Sequence, residues 1–101
     1  MNGPTYLAVI DRAGPGNFGV WFPDLPGCTS AGDSVDQALA MGTEALALHV
    51  DLMREHGEPV PGPSSFEKLE NDDHFEAREA DSIVAAIPLL PVAQLFPEAA
   101  E

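Results

Sequence analysis

Residues 18–39 read FGVWFPDLPGCTSAGDSVDQAL, and the change of pattern inside this stretch decides the fold. At its start Phe18, Val20 and Phe22 alternate with Gly19 and Trp21. Alternate side chains point to opposite faces of a strand, so the first three form one apolar face and leave Trp21 on the other. Pro23 and Pro26 then stop the strand, because each lacks a backbone donor and restricts the residue before it. Pro23-Asp24-Leu25-Pro26-Gly27-Cys28 is therefore a fixed loop, and Cys28–Ala31 a brief third strand before Gly32. Ser34 opens a helix: its hydroxyl is a good N-cap, and Gln37 three residues on completes a capping-box pattern.

From Ser34 onward the period becomes three and four. Val35, Ala38, Leu39, Gly42, Ala45, Leu46, His49, Leu52 and Met53 make one apolar stripe that must pack on a sheet, and Gly57 supplies the stop. Upstream, Tyr6–Ile10 is an apolar strand, and the turn chemistry within Asp11–Asn17 joins it to Phe18–Phe22 as a hairpin. Downstream, three prolines in Glu58–Ser65 make an extended connector. Glu67–Asp81 holds seven acids beside Phe66, Leu69 and Phe75 and reads equally as a short helix or a loop. Ser82–Leu90 is a last strand, which Pro88 places near a sheet edge or at the strand's end. The order β-β-β-α-β predicts an α+β domain of two layers, a three- to four-stranded, mainly antiparallel sheet covered by one long helix. Residues 1–90 form this domain, and 91–101 are expected to be a C-terminal tail.

The chain has 101 residues, enough for one modest core. Four Lys and Arg against seventeen Asp and Glu give a net charge of −13. Residues 1–60 carry eight acids and two bases and residues 61–101 nine and two, so no basic tail is set apart. Direct nucleic-acid binding is not expected, since only Arg12, Arg54, Lys68 and Arg78 could neutralise phosphates. Such a field attracts a basic partner, although composition alone is explained as well by solubility. Cys28 is the only cysteine, which leaves no intramolecular disulfide and suits a reducing compartment. The longest apolar run, Ile83–Ala93, has about half a membrane span and is broken by Pro88 and Pro91. A soluble, cytoplasmic protein is expected.

One ordered series of features resembles a known family. A Tyr-containing first strand, an aromatic second strand, Pro23–Cys28, Gly32-Asp33-Ser34 opening a helix with Gln37-Ala38-Leu39, and a proline-rich connector together resemble the N-terminal domain of HicB-like antitoxins over about residues 5–65. The resemblance implies a degenerate RNase H-like fold. It also implies binding and neutralisation of HicA, a small basic toxin that cleaves mRNA and uses a histidine. An acidic chain suits such a partner. Many family members continue into a DNA-binding domain, and none is apparent after Leu90.

Trp21, Asp24, Leu25, Pro26 and Gly27 form the candidate partner-binding set. Trp21 is either an exposed hot spot or, in the preferred reading, buried by a second small apolar layer. The loop serves equally as a contact surface or as a rigid connector. No catalytic residue, metal ligand or cofactor is assigned. A metal-dependent hydrolase would use Asp11 and Asp24 at strand ends, but no convergent carboxylate set can be assembled. His49 and His56 lie seven residues apart, about 10 Å along a helix, too far to share one ion. His74 among Asp72, Asp73 and Glu76 reads as an exposed acidic segment, and Cys28 lacks a partner base. The alternative without a toxin is a self-associating domain, a homo-oligomer paired along the edge of Ile83–Leu90.

Overall fold

The computed structural model describes residues 3–100. Its strands are β1 (Thr5–Gly14), β2 (Asn17–Trp21), β3 (Thr29–Gly32) and β4 (Ile83–Pro88). The helices are α1 (Val35–Glu55) and three single turns, α2 (Phe66–Leu69), α3 (Asp73–Glu76) and α4 (Val92–Leu95). The four strands form one sheet in the order β3-β2-β1-β4, with every neighbouring pair antiparallel. This is the α+β sheet-and-helix arrangement read from the sequence.

The alternation in the first two strands sorts their side chains as expected. Tyr6, Ala8 and Ile10 of β1, Val20 of β2, Phe22 just after β2, and Ile87 of β4 join Ala38, Leu46 and Val50 of α1 in the main core. Burying a side chain such as Phe22 or Leu46 contributes about 1.5–3 kcal/mol. The helix comes very close to the sheet. A Cβ on Gly32 would sit 2.5 Å from the Ala38 nitrogen, and one on Gly42 3.1 Å from Val20 Cγ1.

The ends of α1 follow the sequence signals. Ser34 Oγ accepts from the Gln37 N–H at 3.1 Å, while Gln37 Oε1 accepts from the Asp33 N–H at 2.7 Å, one residue earlier than a standard capping box. At the other end Gly57 takes φ 70°, its N–H donates to Arg54 O, and the Glu58 N–H donates to Met53 O. This is a Schellman stop, and it requires the left-handed conformation that glycine adopts without a Cβ penalty.

Three features differ from the sequence reading. The hairpin is longer: β1 continues to Gly14, with Arg12 opposite Phe18 and an irregularity before Gly14, leaving only Pro15 and Gly16 in the turn. Polar Asp11 and Arg12 leave the core yet keep their ladder partners, which composition could not show. Leu52 lies outside the buried stripe and is 52% exposed. At about 100° per residue it stands roughly 200° round the helix from Val50, whereas the buried row runs Ala38, Gly42, Leu46, Val50. Lastly, the expected tail contains α4, which lies against α1.

The segment that the sequence left undecided folds as α2 and α3. Ser65 Oγ caps the first by accepting from the Lys68 N–H, and Asp72 Oδ1 caps the second by accepting from the Phe75 N–H. Both turns lie across the sheet face opposite α1, where Leu69 and Phe75 meet Val9, with Leu7, Trp21 and Val84 packed around them. A small cover thus supplements the two main layers.

Candidate partner-binding site

The loop after β2 is two successive turns. The Leu25 N–H donates to Phe22 O, and the Cys28 N–H donates to Leu25 O. In the second turn Pro26 and Gly27 are the central pair, and Gly27 has φ 90°. Proline followed by a residue of positive φ is the requirement of a type II turn. Leu25 points inward and is 2% exposed, which anchors the loop to the core and leaves Pro26 and Gly27 outside.

Asp24 is bound from within the chain. Its Oδ2 accepts from the Ser64 N–H at 2.7 Å and its Oδ1 from the Ser64 hydroxyl at 2.6 Å. The Tyr6 hydroxyl, in turn, donates to Pro61 O. The proline-rich connector is thereby fastened to the loop and to β1. Burial, reinforced by the nearby Asp24 carboxylate and only partly opposed by Arg54, raises the pKa of Tyr6. Burial alone pushes the Cys28 thiol up to about 11. A thiol held so far from its thiolate is a packing group rather than a nucleophile.

Trp21 is half-buried on the face covered by α2 and α3, the placement preferred from the sequence. Its Nε1 donates to Asp11 Oδ2 at 2.8 Å. Beside it lies a cleft of about 410 Å³ lined by Trp21, Phe22, Pro23, Pro26, Asp72 and His74. Of the five candidate residues, the fold thus brings Trp21 and Pro26 to one cleft, keeps Gly27 exposed at its turn, ties Asp24 to Ser64 and buries Leu25. Asp72 and His74 were missed as partners of the loop. They are some fifty positions away, and the only local signal was the N-cap spacing from Asp72 to Phe75 that places α3 here.

The other titratable clusters stay apart. Asp11 engages Trp21 and Asp24 engages Ser64, so the two carboxylates proposed for metal chemistry have separate structural partners. Among the described residues no group of three or more His, Cys, Asp or Glu side chains is placed to hold a metal, and no helix is long and apolar enough to cross a membrane.

The chain is similar to known proteins. A 14.9 kDa protein from the rep-hol intergenic region of Haemophilus phage HP1 is 32% identical over 71 residues, 70% of this chain. The match spans only 53% of the phage protein, so this chain corresponds to about half of that relative. The crystal structure of the N-terminal domain of the Burkholderia pseudomallei antitoxin HicB superposes with a TM-score of 0.66 at 27% identity, covering 82% of this chain and 94% of that one. A chain in the HicA3 and HicB3 toxin-antitoxin complex superposes with a TM-score of 0.68 at 26% identity, covering 86% and 99%. The sequence profile of the HicB-like antitoxins of bacterial toxin-antitoxin systems matches residues 6–94, through every strand and α1, and the chain belongs to that family.

Proposed function

We propose that this chain neutralises a small basic HicA-like toxin by binding it, and that it occludes an mRNA-cleaving site without catalysing a reaction itself. The observation that carries the proposal is the near-complete superposition on a chain of the HicA3 and HicB3 complex. The charge of −13 supports it, since an acidic surface steers a basic protein inward and favours its retention. The contact surface in this reading centres on Trp21, Pro26 and Gly27. Asp24 and Leu25 contribute by fixing the loop that presents them.

The test is a pull-down from the native cell with this chain as bait, at low and high salt. The expected result is a retained small basic protein whose degradation of RNA stops as the chain is added back. Retention of no such protein at low salt, or of one whose RNA cleavage continues unchanged, would reject the proposal.

Self-association is a compatible second reading, favoured by Ile83, which is 43% exposed on the edge strand β4. An unpaired strand edge is a template for a second copy. Light scattering that finds only monomer across a wide concentration range would dismiss it.

A further inference from the structure

The cleft beside Trp21 combines features that the fold itself leaves unused. Its walls are Trp21, Phe22, Pro23 and Pro26; its rim carries Asp72 and His74; no Lys or Arg lines it. Asp72 commits Oδ1 to the Phe75 N–H at 3.0 Å, which leaves Oδ2 available. At the indole edge, Asp11 Oδ2 accepts from Trp21 while Asp11 Oδ1 is buried without a hydrogen-bond partner. Among the described residues, the Trp21 N–H is thus the one hydrogen-bond donor to the carboxylate's charge. That charge polarises the indole through the N–H bond and makes its face more attractive to a cation.

An electron-rich flat ring, two prolines and an acidic rim together suit a planar cation on an apolar stem. Guanidinium stacks on aromatic rings and is weakly hydrated, and its methylene stem can lie along the prolines. The chain makes the same pairing internally: the Arg78 guanidinium lies 4.1 Å from the Phe75 ring centre.

We propose that the Trp21 cleft receives an arginine side chain of a basic partner protein, with Asp11 as the positioning residue that fixes the indole. This rests on the antitoxin reading only for which protein carries the arginine.

Trp21 is the only tryptophan, so its emission reports on the cleft directly. The whole chain is titrated at low salt with acetyl-Gly-Arg-Gly-amide, and with the same peptide carrying lysine or neutral citrulline. A saturable response to arginine is expected, about 3- to 10-fold weaker for lysine and absent for citrulline. Asp72→Asn, which keeps an Oδ1 to cap α3 while removing the rim charge, should weaken arginine binding about 3-fold. Asp11→Asn should narrow the preference for arginine over citrulline, a change that a purely structural role would not produce. Equal responses to arginine and citrulline, or a response that never saturates, would overturn the inference. With a retained toxin, Trp21→Leu should loosen the complex about 10-fold. Unchanged affinity, with Trp21 emission unmoved by the toxin, would refute the cleft and leave the antitoxin reading standing. Arginine binding with no basic protein retained would do the reverse.

Discussion

Leu25 and Cys28 both anchor the loop that follows β2 to the core. Leu25 fills the core beneath two turns, so Leu25→Ala removes buried surface and leaves a void costing about 2–4 kcal/mol. Urea unfolding should show that loss, while Pro26→Ala on the outer turn should cost much less. Cys28 is buried in the same cluster, and its ordinary value of 9.0 rises to about 11. A raised pKa for an acid means that the fold favours the neutral thiol. That stability is fully present below pH 9 and is lost as the pH climbs from 9 towards 11. Thermal unfolding against pH should therefore decline across this window and decline less in Cys28→Ala. At neutral pH the thiol should resist iodoacetamide until urea opens the domain.

At the scale of elements, the connector between α1 and α2 is part of the fold rather than a spacer. Asp24→Ala removes both bonds to Ser64 and should cost about 1–3 kcal/mol. It should also make residues 58–65 accessible to limited proteolysis, and native cleavage rates there would detect the change. The helix α1 was legible because Ser34, Gln37 and Gly57 act on their immediate neighbours and its stripe runs for five turns. Its inner row was less so, because Leu46, Leu48, Val50 and Leu52 offer two apolar faces and only the sheet's position selects between them. The turns α2 and α3 were not legible as helices, since four residues are too few to display a period. Ser65 and Asp72 cap them in the structure, but what they cover depends on residues sixty positions earlier. For the same reason Trp21 is a candidate in the sequence without the cleft that it lines: the rim, Asp72 and His74, comes from another part of the chain.

For the whole molecule, charge sets the behaviour in association. With −13 spread over both halves of the chain, the basic toxin proposed above would be attracted before contact, and salt would screen that attraction. Raising sodium chloride from about 50 to 500 mM should slow association by about tenfold or more in stopped-flow fluorescence, with a smaller change in dissociation. A rate independent of salt would mean that the acidity serves solubility alone. The sheet order carries a different consequence, for the time course of folding. β1 is central, yet its neighbour β4 is the last strand made, with Thr5 paired to Pro88. During synthesis the hairpin and α1 can assemble early, but one side of β1 stays without a neighbour until residue 88 has left the ribosome. A nascent chain arrested before Ile83 therefore leaves β1 as an open, apolar edge strand, and full protection from proteases arrives only with the closing strand.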